Sequence, residues 1–350
     1  MLNAPYISLG LMSILVIGCI FSLGNLKSQN LPLSTRSEIL VDINLPAGYH
    51  IDSTNEVVKK LENFLLNKKE NPGVISTSAY TGNSGPRFFL TLDSIKPAAS
   101  KAFMLVNTKN SEAANEVRIS IQKWASANIV TADIRARIIS RGAIPPRLTG
   151  LRIYGPDAQK LYTLAKELQH ALDDIPGMRY TTNDWENPIR RLHLDIDRGS
   201  AARAGVDYED ISNALQSFFS GSRVTEIRDG DKIIPIITRG NDSLRLHPDS
   251  LEQVLVYSST NGQSISLSQI ATVDDVAELC CLNRRNLERV VTIEGLHDSF
   301  IASETQAAWN ERAKPILDNL PPGYRVEQGG EIEQMSETYG ALVEAYPIFI

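Results

Sequence analysis

The chain has 350 residues, of which 42% are apolar and 22% charged, so it can form more than one packed domain and is not disordered. The net charge is −6 with both signs interspersed and no long run of Lys or Arg, which excludes a nucleic-acid partner. The cysteines and histidines form no CxxC or HExxH motif, and GxSxG, Walker and kinase motifs are absent, so we predict no enzyme active site, metal site or cofactor.

The first predicted element is a long apolar helix. Residues 6–23 contain no Asp, Glu, Lys, Arg or His, and a helix of this length spans about 27 Å, close to the thickness of a bilayer core. We therefore predict a transmembrane helix with its flank over residues 1–30. A cleaved signal peptide and a lipoprotein signal at residues 16–19 are the alternatives, although no positive residue precedes the apolar run.

Three later stretches share one plan: a strand, an amphipathic helix, a Pro-Gly turn and a second strand. The Pro-Gly turns end at Gly73, Gly177 and Gly323. In the first copy Ser53 and Glu56 predict a capping box, and in the second Asp157 is the predicted N-cap. Because each helix has one apolar face that must cover a sheet, the plan predicts an α+β fold.

The first copy continues with predicted strands at 87–92, 102–108 and 130–139 around a helix at 111–125. This βαββαβ order is typical of a ferredoxin-like, or split βαβ, subdomain. The spacing from Gly177 to Gly323 is 146 residues, against 104 from Gly73 to Gly177, which predicts an inserted domain at residues 188–282. Asp229-Gly230 predicts a hairpin within this insert. The chain ends on an apolar stretch that indicates either a terminal core helix or the start of a second membrane helix.

The glycine-rich stretch after the strand at 74–80 is the strongest candidate for a functional loop. It lacks the Lys-Ser/Thr pair of a phosphate-binding loop, so two interpretations remain open: a flexible connection, or a mobile loop that lines a cleft. Phe88 and Phe89 follow it and are predicted to point to opposite faces of a strand.

Several stretches together carry a family resemblance: EILVDINLPAGYHID, AYTGNSGPRFFLTLD, DIDRGSAARAGV, EIRDGDKIIPII and LPPGYRVEQGGE. They resemble the large extracytoplasmic loop in the second half of RND efflux transporters of the acriflavine-resistance type. The resemblance implies a first porter subdomain at 31–145, a second at 146–188 and 283–330, a docking subdomain at 189–282, and a truncated membrane helix at 331–350.

The resemblance also implies a function. We expect the porter and docking portion of a proton-driven multidrug permease of the inner membrane, mostly periplasmic, that binds and channels amphiphilic small molecules. The implied substrate path comprises Tyr80, Thr81, Gly82, Asn83, Ser84, Gly85, Phe88 and Phe89. The implied docking interface comprises Glu226, Arg228, Asp229, Gly230 and Asp231.

The implied partners are the remaining half of the transporter, two further copies in a homotrimer, a periplasmic adaptor and an outer-membrane channel. The apolar helix has no acidic or basic group with which to use a proton gradient, so we expect a truncated or split piece that cannot pump alone. The alternative is a membrane-anchored periplasmic interaction or scaffold module.

Overall fold

The structure is a computed structural model that describes residues 5–24, 34–89, 92, 96–139, 145, 147–245 and 248–345. The α-helices are α1 Pro5–Gly24, α2 Ile51–Leu66, α3 Ser111–Asn128, α4 Ala158–Asp173, α5 Arg198–Ala204, α6 Tyr208–Phe219, α7 Asp242–Arg245, α8 Ala302–Leu317 and α9 Gly330–Ala345. The first strands are β1 Glu38–Asn44, β2 Val74–Thr81, β3 Lys101–Thr108, β4 Asp133–Ile138, β5 Leu148–Tyr154, β6 Met178–Asn183, β7 Ile189–Ile196 and β8 Ser222–Asp229. The others are β9 Lys232–Thr238, β10 Leu255–Tyr257, β11 Ser264–Ser266, β12 Ala271–Glu278, β13 Arg284–Arg285, β14 Glu288–His297 and β15 Arg325–Gly329.

The chain divides into two compact units: a smaller one, Pro188–Glu278, and a larger one made of Met1–Asn187 and Leu279–Ile350. Both units mix helices with antiparallel strands, which confirms the predicted α+β class.

α1 and α9 occupy the two segments that were predicted to enter a membrane. Over the part of the chain that the structure describes, no helix is both long and apolar enough to cross a membrane. Neither predicted membrane segment is therefore confirmed. Residues 1–4, 25–30 and 346–350 of those segments lie outside the described residues.

The first lobe of the larger unit contains β1–β4, α2 and α3. Its strands form an antiparallel sheet in the order β2-β3-β1-β4. Successive side chains of β1 point to opposite faces of the sheet. Ile39, Val41 and Ile43 therefore pack in the core with the two helices, while Leu40 and Asp42 lie on the opposite face.

Two local predictions in this lobe are wrong. α2 begins after His50, whose Nδ1 accepts a hydrogen bond from the Asp52 backbone, so Ser53 and Glu56 lie inside the helix and do not cap it. The predicted strand at 87–92 is not formed by the described residues 87–89 and 92. Phe89 instead packs with Leu40 and neighbouring apolar side chains over the sheet.

The second lobe contains β5, α4, β6, β13–β15 and α8. Its sheet has the order β13-β14-β5-β15, and β6 also pairs with β14. Asp157 caps α4 by accepting a hydrogen bond from the Lys160 backbone at 2.7 Å, as predicted. Two buried tryptophans join its segments: Trp185 Nε1 donates to the Val290 carbonyl at 2.8 Å, and Trp309 Nε1 to the Leu168 carbonyl at 2.9 Å.

The smaller unit packs α5, α6 and the β7–β12 pair around its own apolar core. Its α6 begins with a capping box between Asp207 and Asp210. The predicted hairpin is present as β8 and β9, with Asp229 paired to Lys232 across a two-residue turn.

Candidate functional site

A cavity of about 730 Å³ lies between the two lobes of the larger unit. It is framed by two contacts between residues far apart in sequence. Lys101 Nζ lies 2.5 Å from Glu186 Oε1, and the Ala47 backbone donates to Asn187 Oδ1 at 2.9 Å. These contacts join the start of β3 and the end of β1 to the segment that follows β6, so the cavity walls come from both lobes.

The lining of this cavity mixes apolar and charged side chains. Its apolar members are Leu45, Pro46, Val130 and Ala132, its basic members Lys96, Lys101 and Lys166, and its acidic members Asp133, Asp184 and Glu186. A lining that combines apolar side chains with a few charges of both signs suits a small molecule that is itself partly apolar and partly ionised. We call this site the inter-lobe cleft.

Asp184 is the most firmly held carboxylate of the inter-lobe cleft. Its Oδ1 accepts the Thr292 backbone N–H at 2.8 Å and its Oδ2 accepts Asn283 Nδ2 at 2.9 Å. Burial raises the pKa of Asp184, and these hydrogen bonds oppose the rise because they favour the charged form. The carboxylate is therefore fixed in place by β14 and by the turn before β13.

Beside the cleft, an arginine and a tyrosine lie against each other between the two sheets. The Arg135 guanidinium of β4 lies 5.3 Å from the ring centroid of Tyr180 of β6, a cation–π distance. Burial raises the pKa of Tyr180 to about 12. Burial also raises the pKa of Glu294 on β14, while Arg135 opposes the rise. This boundary between the lobes is thus polar, with ionisable groups in a poorly solvated space.

The predicted glycine loop follows the end of β2. Tyr80 and Thr81 are the last residues of that strand. Gly82 donates its N–H to the Lys101 carbonyl at 2.7 Å and accepts from the Ala98 backbone at 3.1 Å. Asn83 Oδ1 accepts the Gly85 N–H at 2.8 Å. The loop is therefore tied at its start to the segment that leads into β3.

Gly85 has a physical reason to be glycine. Its φ is +65°, in the left-handed region, and a Cβ at this position would lie 2.7 Å from the Tyr80 ring. Ser84, next to it, is buried. The loop is therefore folded against the Tyr80 side chain at its second glycine.

The two phenylalanines after the loop differ in exposure. Phe89 is half-buried against Leu40, Phe103 and their neighbours, with the Arg36 guanidinium 4.9 Å from its ring centroid. Phe88 is 44% exposed, and its ring centroid lies 6.4 Å from that of Phe103. Neither the glycine loop nor these rings line the inter-lobe cavity.

The predicted docking residues lie on the β8–β9 hairpin of the smaller unit. Glu226, Arg228 and Asp229 are on β8, and Gly230 (φ +58°) and Asp231 form the turn. Every residue of both strands is exposed, including six apolar side chains: Val224, Ile227, Ile233, Ile234, Ile236 and Ile237. A two-stranded hairpin is marginally stable in water on its own, and these six apolar side chains are left in contact with solvent.

Sequence reasoning missed the charged residues of the inter-lobe cleft. No sequence signal pairs Lys101 with Glu186, which are 85 residues apart.

A model of the AcrB/AcrD/AcrF family matches residues 1–350. The chain is 23% identical to an uncharacterized transporter of Haemophilus influenzae over 334 residues, which are 94% of this chain and 31% of that protein. It is 23% identical to the multidrug resistance protein MdtC of Yersinia pseudotuberculosis over 82% of this chain and 27% of that protein. It is 24% identical to the cobalt-zinc-cadmium resistance protein CzcA of Cupriavidus metallidurans over 57% of this chain and 19% of that protein.

Among solved structures, the fold is similar to that of a heavy metal efflux pump, with a TM-score of 0.75 and 17% identity. The match covers 98% of this chain and 36% of that pump. The chain thus spans about a third or less of the length of these relatives.

Proposed function

The chain belongs to the AcrB/AcrD/AcrF family of RND efflux transporters, and from that premise we propose that it forms the periplasmic porter and docking part of such a transporter in the inner membrane. Its family is one of transporters and not of enzymes. The observation that carries the proposal is the inter-lobe cleft, which has a volume suited to a small molecule and walls from two separate α+β lobes.

The proposed substrates are amphiphilic small molecules that carry an ionisable group. The apolar side chains of Val130 and Ala132 provide area for an apolar body, and the lysines and carboxylates of the same lining provide partners for a charge. The glycine loop and Phe88 are the proposed substrate path outside this cavity, since Phe88 leaves an exposed aromatic surface next to the loop.

The β8–β9 hairpin is the proposed docking surface for a neighbouring subunit of a homotrimer, or for the adaptor and outer-membrane channel. Its exposed isoleucines favour burial, and the charged residues around Gly230 suit the rim of an interface. We also propose that these 350 residues need the other parts of a transporter to pump, because residues 6–23 contain no Asp, Glu, Lys, Arg or His that could relay a proton.

Binding of a neutral amphiphilic dye tests the cleft. The purified chain in detergent is excited at the tryptophan absorption band, and energy transfer from tryptophan to Nile red is measured. Because the transfer needs a short distance, dye dissolved in micelles away from the protein contributes little. Val130→Asp places a charge among the apolar side chains of the lining, and a bound dye must desolvate that charge. We therefore expect about tenfold weaker binding, which is a loss of ~1.4 kcal/mol in binding free energy. The matched control is Ile75→Asp, an exposed apolar residue of β2 that does not line the cavity. Unchanged affinity in Val130→Asp, or an equal loss in the control, would contradict the cleft assignment.

Chemical cross-linking in native membranes tests the hairpin. Ile234→Asp introduces a charge into the exposed apolar surface of β9, so we expect cross-linked oligomers to diminish while Ile75→Asp retains them. Retention of all cross-linked species in Ile234→Asp would remove the hairpin from the proposed interface.

A further inference from the structure

Two thiols lie side by side where the chain returns to the larger unit. Cys280 and Cys281 follow β12 in the connection to β13, and both are free and half-buried. The Cys281 thiol donates to Cys280 Sγ across 3.4 Å, so the two sulfur atoms face the same space. The arrangement is a neighbouring dithiol.

The dithiol lies close to the inter-lobe cleft. Burial raises the pKa of Cys280 to about 11, the Cys281 thiol and Glu186 reinforce the rise, and Lys101 opposes it. Glu186 and Lys101 are the ion pair that lines the cavity, as does Asn283, two residues beyond Cys281. A small solute bound in the cavity therefore lies near the two thiols.

A disulfide between these two cysteines is disfavoured. Consecutive Cα atoms are about 3.8 Å apart across a trans peptide, whereas bridged cysteines usually have Cα atoms at least ~4.4 Å apart. The strain of closing the ring keeps the pair available as two thiols even where the surroundings are oxidising.

The sulfur separation limits what the pair can chelate. Two sulfurs bound at about 2.3 Å to one centre are ~3.8 Å apart in a tetrahedral site and ~4.6 Å apart in a linear one. The observed 3.4 Å corresponds to an angle of about 95° at the bound centre. Such an angle is that of a pyramidal trivalent centre with a lone pair. Among the described residues no group of three His, Cys, Asp or Glu could complete a metal site.

We propose that Cys280 and Cys281 form a binding site for trivalent arsenicals, in which both sulfurs bond to one arsenic atom. The site does not depend on the proposed transport function. In each of two condensations an S–H and an As–O bond break, an As–S bond forms, and the proton leaves with the hydroxyl as water. No electrons are transferred. Because the thiols need not ionise beforehand, the raised pKa of Cys280 disfavours divalent cations, which must displace protons, more than it disfavours arsenic.

Thiol protection tests the proposal. The full chain, reduced and in detergent, is incubated with phenylarsine oxide, alkylated with N-ethylmaleimide and mapped by mass spectrometry. We expect both Cys280 and Cys281 to be protected, Cys19 to be alkylated, and 2,3-dimercaptopropanol to reverse the protection. Cys280→Ser and Cys281→Ser each remove the chelate, so the arsenical concentration that protects the remaining cysteine should rise about a hundredfold. The matched control, Cys19→Ser, removes a thiol exposed on α1 and should leave protection unchanged.

Alkylation of both cysteines in the arsenical-treated chain would overturn the site, and so would equal protection in Cys280→Ser. Cadmium chloride at the same concentration should not protect, and equal protection by it would overturn the preference for arsenic. Far-UV circular dichroism checks that each variant is folded. If a variant is unfolded, protection of Cys280 and Cys281 in the unsubstituted chain by itself decides whether the arsenical site exists. Nile red binding is measured with other variants, so failure of this site and failure of the cleft assignment are distinguishable.

Discussion

Replacing Trp309 with alanine tests how the second lobe is held together. Trp309 lies on α8 with 0% of its surface exposed, and its indole N–H reaches the Leu168 carbonyl of α4 at 2.9 Å. The two helices come from segments on either side of the smaller unit in the sequence. Removing a buried tryptophan leaves a cavity and costs about 3–5 kcal/mol, which is a large part of the ~5–15 kcal/mol that stabilises a typical domain.

Hydrogen exchange followed by mass spectrometry shows which elements lose stability in Trp309→Ala. Since each 1.4 kcal/mol is a factor of ten, protected amides of β5, α4 and β14 should exchange about 100- to 4,000-fold faster in Trp309→Ala. Amides of β1 to β4 should be unaffected, because the first lobe has its own core. The matched control is Trp124→Ala. Trp124 is half-buried and stacked on Phe64 at 4.6 Å, and its loss should cost less than that of the fully buried Trp309 and be confined to the first lobe.

Faster exchange in both lobes of Trp309→Ala would refute the view that they have independent cores. Unchanged exchange in α4 would refute the role of Trp309 as the link between the two segments.

Three further outcomes are expected from the structure. Burial raises the pKa of Glu294, so the folded chain keeps this carboxyl protonated to a higher pH than the unfolded chain does. Ionisation of Glu294 therefore destabilises the fold, and the melting temperature should fall as the pH rises above 4.5, the ordinary pKa of a glutamate. Glu294→Gln should make this fall in melting temperature smaller when the melting temperature is measured over a series of pH values. Gly85→Ala should lower the free energy of unfolding measured in urea by about 1–3 kcal/mol, because the new Cβ would meet the Tyr80 ring. Gly230→Ala, also in the left-handed region but in open space, should lower it by about 1 kcal/mol. Equal losses in the two variants would contradict the contact with Tyr80. Asp207→Ala should lower the stability of the smaller unit by about 1 kcal/mol through loss of the α6 cap, and a change below 0.3 kcal/mol, roughly the error of such measurements, would show the cap to be dispensable.

Elements that depend on a few neighbouring residues could be predicted. The apolar spacing of Leu161, Ala165, Leu168 and Leu172 predicts the buried face of α4, and Asp157 predicts where that helix begins. The Asp229-Gly230 signal predicts the hairpin for the same reason, since turn chemistry is set within a few residues. The predicted substrate path, docking interface and domain boundaries stay predictions.

The failures occurred where two local signals competed. Ser53 and Glu56 have the spacing of a capping box, but His50 provides an earlier cap and the helix starts there. Residues 87–92 are mostly aromatic or aliphatic, which favours a strand, yet Phe89 packs on the open face of the first sheet. Burial against a neighbouring element outweighed intrinsic strand preference there.

The α+β class and the repeated helix-over-sheet plan were evident from the order of residues, because periodicity and turn chemistry act over one or two turns of chain. The inter-lobe cleft needed the folded chain. Lys101 and Glu186 meet across 85 residues of sequence, and the bend of the backbone beyond β12 decides that two adjacent thiols face the same side. Such pairings depend on how sheets pack, for which a single sequence contains no local signal.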